Sequence, residues 1–292
     1  MENKNEIIFG LPDKEYHASQ RISKHALDEF TASPYAFFAR RVAGTHVEEQ
    51  NESFDLGTAV HAAVLEPTRY TREFVVQPEY IKVRRGNAWT AFQAENEGKT
   101  IIKPEHADFV RGAKEALSRN AHATKLLEAS PIRETTFFWE HKDFPGIELK
   151  SRIDFASKNG RVIGDLKTAA SANPTDFGKA CDEYGYDVQA AFYIDAARQC
   201  GMHAEMFAFI VVEKTFPFTP WVYTVDAESD FVRAGRLEYR RRLKHFLEVR
   251  DMNPDTTPLD FIESGLTLPA WSRRLKALRE APAEELGAVI NA

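Results

Sequence analysis

One short turn signal constrains this chain more than any other feature. Lys158-Asn159-Gly160-Arg161 stands between two largely apolar stretches, Ile147 to Phe155 and Arg161 to Thr168. Asn and Gly both tolerate positive φ, so Asn-Gly between such runs predicts a tight hairpin. If Asn159 and Gly160 are the two turn residues, Lys158 faces Arg161 and the register of both strands follows. Asp154 then falls opposite Asp165, and Arg152 opposite Lys167.

Directly opposed side chains in an antiparallel pair have Cβ atoms roughly 4.5–5.5 Å apart, and like charges there destabilise the sheet. A divalent cation with oxygen ligands neutralises such a pair. Strand parity also puts Lys167 on the face of Asp165. Two carboxylates and one ammonium thus converge on one patch, which is what phosphodiester hydrolysis requires. A metal polarises the phosphoryl oxygen and activates water, and the lysine orients that water or stabilises developing charge. The same spacing also suits an exposed ion-paired patch, with Arg152 and Lys167 balancing the aspartates. Asp-x-Lys alone is common by chance.

The rest of the pattern is mixed. Ser23 can cap a helix through Phe30, and Pro34 can open another through about Val42. Leu56 to Leu65 is apolar on most sides and reads as a buried helix. Tyr80 to Gly98, with Gly86 and Asn87, reads as a loop or flap, and Pro104 opens a helix to about Asn120. The period then changes. Ile132 to Phe138 predicts a strand, Asp187 to Gln199 a helix, Met206 to Val212 a central strand and Trp221 to Val225 another strand. Ala227 to about Arg250 reads as a long charged helix. A tail with Pro254, Pro258 and Pro269 reads as an arm with little regular structure. The organisation expected is a single domain over 1–292, with a mainly helical part (1–130), a sheet core (131–226) and a final helix with its arm (227–292).

Composition narrows the class. Hydrophobic residues make up 43%, enough for a packed core. No run approaches the ~20 apolar residues of a membrane span, and the start lacks a basic-then-apolar leader. The only two cysteines, Cys181 and Cys200, exclude a four-thiolate zinc or iron–sulfur site in one chain and suit a cytoplasmic location. A net charge of −6 argues against coating nucleic acid by bulk charge, but not against a carboxylate-rich site that cuts it. Local basic clusters are Arg40-Arg41, Lys82 with Arg84-Arg85, Lys150 with Arg152, and Arg240-Arg241-Arg242 with Lys244. By parity Lys150 and Arg152 share the strand face of Asp154. They make the expected DNA track, with Arg152 on a phosphate next to the scissile one and the Lys82–Arg85 segment closing over the duplex.

Arg-Ile-Asp-Phe (152–155), Gly-Asp-Leu-Lys-Thr (164–168) and Gln-Ala-Ala-Phe-Tyr (189–193) resemble the core of PD-(D/E)XK nucleases, in particular the RecB-like and RecE-type phage-associated exodeoxyribonuclease branch. Ile22-Ser23-Lys24 through Ala32-Ser33-Pro34, then Gly57-Thr58-Ala59-Val60-His61, is similar to that branch's opening, and Leu268-Pro269-Ala270-Trp271 to its ending. The resemblance implies an α/β, restriction-endonuclease-like fold with a central mixed sheet flanked by helices. It implies Asp154, Asp165, the Leu166 carbonyl and His61 as metal ligands and Lys167 as the catalytic lysine. Glu134 matches an upstream acidic position, with Glu140 and Glu148 as competitors. Gln189 and Tyr193, at i and i+4 on one helical face, would contact the DNA backbone or hold Lys167. Also implied are two Mg2+ ions per site, replaceable by Mn2+, and 5′→3′ digestion of linear double-stranded DNA from its ends. A ring-shaped homo-oligomer and a single-strand-annealing partner in phage-type recombination complete the picture, with no membrane involved. The competing readings are an endonuclease or single-strand nuclease on the same core, and a catalytically inactive DNA-binding module.

Overall fold

The computed structural model describes residues 5–43 and 52–250. The proline-bearing tail and Leu268–Trp271 lie outside them. In chain order the elements are β1 (Glu6–Phe9), α1 (Asp13–Ala18), α2 (Lys24–Ala32), α3 (Pro34–Ala43), α4 (Glu52–Leu65), α5 (Pro67–Glu73), β2 (Phe74–Val76), α6 (Asn87–Glu95), β3 (Thr100–Ile102), α7 (Pro104–Arg119), α8 (Ala121–Ala129), β4 (Ile132–Glu140), β5 (Glu148–Ala156), β6 (Val162–Ala169), α9 (Pro174–Tyr184), α10 (Tyr186–Gln199), β7 (Met206–Glu213), β8 (Pro220–Asp226) and α11 (Asp230–Arg250).

Six strands form one mixed sheet in the order β1-β4-β5-β6-β7-β8, antiparallel except for the parallel pair β6–β7. A parallel pair needs a crossover, and α9 and α10 supply it. Strand β7 is an unbroken apolar run because helices cover both its faces. Ala208, Ile210 and Val212 pack with α4 and α7, alongside Phe155 and Leu166. Residues of opposite parity meet the crossover helices: Phe207 lies 6.3 Å from Tyr193 of α10, and Phe209 lies 5.7 Å from Phe177 of α9. β7 is therefore buried but fifth in the order, one place off centre.

Local chemistry explains most boundaries. The Ser23 hydroxyl accepts from Ala26 N at 3.1 Å and starts α2. Asn173 caps α9, accepting from Thr175 and Asp176 N, with Pro174 next. Gly185, at φ +61°, ends α9 and begins α10 in a single residue. The stretch expected as a loop or flap, 80–98, contains α6. Gly86, at φ +83°, turns the chain, and α6 starts without a side-chain cap, so no capping signal marks it in the sequence.

The hairpin keeps its expected register with a different turn. Phe155 pairs with Gly164 and Ala156 with Ile163, as the Asn-Gly reading requires. Only Gly160 of the turn takes positive φ, +70°. Ser157 N donates to Val162 O, and Gly160 N to Ser157 O, both at 2.8 Å, so the loop runs from Lys158 to Arg161. The Asn159 side chain accepts from Arg161 N at 3.1 Å rather than turning its own backbone. Gly164 has no room for a side chain: a Cβ would sit 2.3 Å from the Phe155 ring.

Candidate active site

Three neighbouring strands each bring a carboxylate to the same rung. Arg133 pairs with Phe155 and Thr135 with Ile153, so Glu134 lies across from Asp154 on one side. Phe155 pairs with Gly164, so Asp165 lies across from Asp154 on the other. Glu134 takes φ +42°. That left-handed value costs a non-glycine residue roughly 1–3 kcal/mol and is a usual mark of functional positions. The candidate ligand atoms of His61, Glu134 and Asp154 lie within 4.8 Å of one another. Glu140 and Glu148 lie elsewhere: Glu140 Oε1 accepts from Gly146 N, and Glu148 pairs with Arg21 at 3.7 Å.

Past this rung the strands fork. The β5–β6 ladder ends at Phe155 and Gly164, although both strands run on. The Leu166 N–H donates instead to Asp154 Oδ2 at 2.6 Å. His61, on α4, reaches the fork from above, with Nδ1 3.2 Å from Asp154 Oδ2 and a further hydrogen bond to the Leu166 main chain. Its α4 neighbours Ala59, Val60, Ala62 and Ala63 are buried, which fixes the helix and hence the imidazole. Lys167 Nζ lies 2.7 Å from Asp165 Oδ1 and 4.9 Å from the Tyr186 ring centroid. Gln189 Nε2 donates to Asp165 Oδ2 at 2.5 Å. Tyr193, one turn on, hydrogen-bonds Gln189. The Gln189–Tyr193 face of α10 therefore holds Asp165 rather than Lys167.

Burial sets the protonation states. It pushes Glu134 up to about 8, helped by the Asp154 charge and opposed by Arg152 and His61. Burial, with the charge of Asp165, holds Asp154 well above the carboxylate range despite the Leu166 N–H. Burial lowers His61, against the pull of Asp165 and Glu134, which favours the neutral, ligating imidazole. Burial alone would depress the Lys167 ammonium, but Asp165, Tyr186 and Asp154 outweigh it and stabilise the charge. Asp165 Oδ1 is buried and accepts no well-directed hydrogen bond, its contact with Lys167 being close but off-line. Carboxylates, a main-chain carbonyl and one imidazole form a donor set that fits a hard divalent cation. Asp154, Asp165, Glu134, His61 and the Leu166 carbonyl are the groups that would hold it.

The expected basic track has a different destination. Lys150 is buried, and its Nζ donates to the carbonyls of Tyr16 at 2.7 Å and Ser19 at 2.9 Å. Arg152 Nη1 lies 2.7 Å from Asp13 Oδ1, and its Nε 3.5 Å from Glu134 Oε2. Both cations flank the Tyr16 ring, at 4.6 and 4.4 Å. Parity placed them on the right face, but α1 packs over that face and uses them. Arg84 and Arg85 are both exposed, Arg84 being bound to Gln77 Oε1 and Ile101 O and lying 5.3 Å from the Trp89 ring. Asp13, Tyr16 and Arg69 belong to the site without any sequence signal. Arg69 links Glu66, Glu73 and Asp13 into one charge chain that continues through Arg152 to Glu134. Two clefts meet here, of about 480 and 640 Å³, and Tyr16, His17, Lys167, Gln189 and Tyr193 line both.

Comparisons with known proteins agree with this architecture. A crystal structure of a candidate exonuclease from Eubacterium rectale superposes with a TM-score of 0.60 at 15% identity, over 92% of this chain and 99% of that one. A phage-related exonuclease from Haemophilus somnus (TM-score 0.32, 12% identity, 81% and 99% covered) superposes too loosely to bear on the fold. So does an alkaline exonuclease from Laribacter hongkongensis (0.25, 11%, 66% and 97%). No curated protein matches. Residues 23–258 match the model of one family, and by that match the chain, with its restriction-endonuclease-like sheet, belongs to the PDDEXK-like domain of unknown function, DUF3799.

Proposed function

We propose that this chain is a divalent-metal-dependent deoxyribonuclease that digests linear double-stranded DNA from an end. The observation that carries the reading is the row Glu134–Asp154–Asp165 across three strands, with Lys167 against the last of them. Asp154, Asp165, Glu134, His61 and the Leu166 carbonyl would hold a divalent cation, which would supply charge neutralisation, polarisation of a phosphoryl oxygen and activation of water. The chain's own groups do the rest. Lys167 keeps its proton and places positive charge where the attacked phosphate gathers negative charge. Gln189, backed by Tyr193, fixes the Asp165 carboxylate. The Leu166 N–H fixes that of Asp154. Tyr16 and α1 wall the site on the β5 side, holding Lys150 and Arg152.

The preference for ends is supported by the exonuclease designation of the structural neighbour from Eubacterium rectale. Polarity (5′→3′), magnesium as the ion, a ring-shaped oligomer, a single-strand-annealing partner and a recombination role belong to the same proposal and rest on the resemblance of the motifs. Linear duplex labelled at either end of either strand, digested in magnesium, tests it. Mononucleotides or short products from one labelled end are expected. Cutting of a covalently closed circle would make the enzyme an endonuclease instead.

A further inference from the structure

Lys167 stands between two unlike clefts. On the metal-cage side, Arg152 is paired with Asp13 and Glu134, and Arg69 with Glu66, Glu73 and Asp13. Among the described residues, every lysine and arginine lining that cleft already faces a carboxylate, Lys167 being 2.7 Å from Asp165. The larger cleft, walled by α2 and α3, is lined among the described residues by Lys24, Arg40, Arg41, Lys150 and Lys167 and by two carboxylates, Asp28 and Glu29; the Lys150 ammonium is already taken by the Tyr16 and Ser19 carbonyls. Asp28 is already held by Lys24 at 2.8 Å and Arg242 at 2.6 Å, whereas Glu29 faces His25 at 3.4 Å and its charge also acts on Arg41. Arg41 is laid over the Phe37 ring at 4.5 Å, and its Nε is buried with no hydrogen-bond acceptor among the described residues. A guanidinium N–H without an acceptor is unusual in a finished structure and becomes satisfied when an anion enters. Lys24 is fixed by Asp28 and by its bond to Tyr184 O at 2.6 Å, where Gly185 leaves room for the ammonium.

We propose that the α2–α3 cleft holds the phosphodiester backbone on one side of the scissile bond only, with Arg41 as its principal phosphate contact and Lys24 and Arg40 beside it. The cleft shares Lys167, Gln189 and Tyr193 with the cage, so a strand whose phosphate lies at Lys167 continues into it without a break. On the other side, the strand meets carboxylates and cations already paired. The grip is asymmetric because the two clefts carry different charge. This inference rests on the nuclease reading.

The test is a neutralisation scan. Methylphosphonate, which removes one backbone charge, is placed singly at each position near the end of a linear duplex. Binding is measured in calcium, and the cleavage position is mapped in magnesium from product lengths. Wild-type affinity is expected to fall about tenfold for one or two positions, all on the same side of the cleaved bond. In Arg41→Ala the same neutralisations should have little further effect, and the log–log salt plot should flatten by about 0.9. Arg41→Lys should recover part of both, and all three proteins should share one melting temperature. Equal sensitivity on both sides, or full sensitivity retained in Arg41→Ala, overturns the asymmetric grip and leaves the nuclease reading standing. No cleavage of any DNA by wild type in magnesium or manganese overturns both.

Discussion

Asp154 and Lys150 lie four residues apart on β5, share strand parity and are both buried, yet their surroundings differ in kind. The Lys150 ammonium has its acceptors supplied by the chain, in the carbonyls of Tyr16 and Ser19. Asp154 has Asp165 and Glu134 for neighbours; Lys167 lies against Asp165 and Arg152 against Glu134, and burial with the neighbouring carboxylates still holds Asp154 and Glu134 above the usual carboxylate range. A buried charge whose partners are all present is structure. A buried charge whose neighbours repel it is a place for something that the chain does not supply. The two ends of this strand face can be perturbed separately.

The largest contrast is in activity. Asp165→Asn keeps the shape and the Gln189 contact but removes a charge from the cage, and kcat should fall roughly a thousandfold or more in magnesium. Lys150→Met should lower kcat far less. Near-wild-type turnover by Asp165→Asn would place the chemistry elsewhere.

The next effect is pH dependence of the metal-free fold. Glu134, raised to about 8 when folded, binds its proton more tightly than in the unfolded chain, where its value is near 4.5. Its contribution to stability is therefore complete below about 4.5 and declines as pH rises to about 8. Asp154 is shifted in the same sense. The unfolding free energy from denaturant titrations in chelator should fall across this window, by roughly a few kcal/mol in total, and Glu134→Gln should flatten the curve. A midpoint that rises with pH would contradict the burial of these carboxylates.

Divalent metal should reverse that loss. At a hundredfold excess over Kd, magnesium or manganese should stabilise the wild-type protein by about 2.7 kcal/mol. The Asp154→Ala, Asp165→Ala double variant should show almost none of this in thermal melts. Equal gains in both proteins would mean that the ion binds at another place.

Two smaller effects complete the comparison. Lys150→Met strands two buried carbonyls and should cost about 1–3 kcal/mol with or without metal. In chelator, Asp165→Asn should match or exceed wild type by up to about 1 kcal/mol, because opposed like charges are relieved. A clear loss there would mean that the charge on Asp165, through Lys167, stabilises the fold more than Asp154 destabilises it.

The central hairpin was legible because parity and register are local rules. Asp154 opposite Asp165 needs only Asn159, Gly160 and the period of a strand, and it survived a turn of a different type. Glu134 was not fixed in that way. Its alignment with Asp154 depends on the seven-residue β4–β5 connection, 141–147, whose Pro145-Gly146 marks a turn but does not set the register of the flanking strands. Helical patterning alone leaves His61 an apolar-helix histidine; the motif resemblance implied it as a ligand, and α4 brings it to the fork. The fate of Lys150 and Arg152 was illegible for a different reason. Parity says which face a side chain takes, but not that α1, more than a hundred residues earlier, will pack on that face and consume its charge. Nothing in the Asp13–Ala18 sequence announces that role.

The bond from Leu166 N–H to Asp154 has a practical consequence. One backbone amide of the chain is tied directly to a carboxylate of the cage, so its resonance is a native reporter of what that carboxylate is doing. Protonation, cation entry or substrate arrival each redraws electron density on Asp154 Oδ2 and should move the 15N–1H signal of Leu166. In 15N-enriched protein, a titration followed at that single cross-peak would count binding events at the fork without a fluorophore or a mutation.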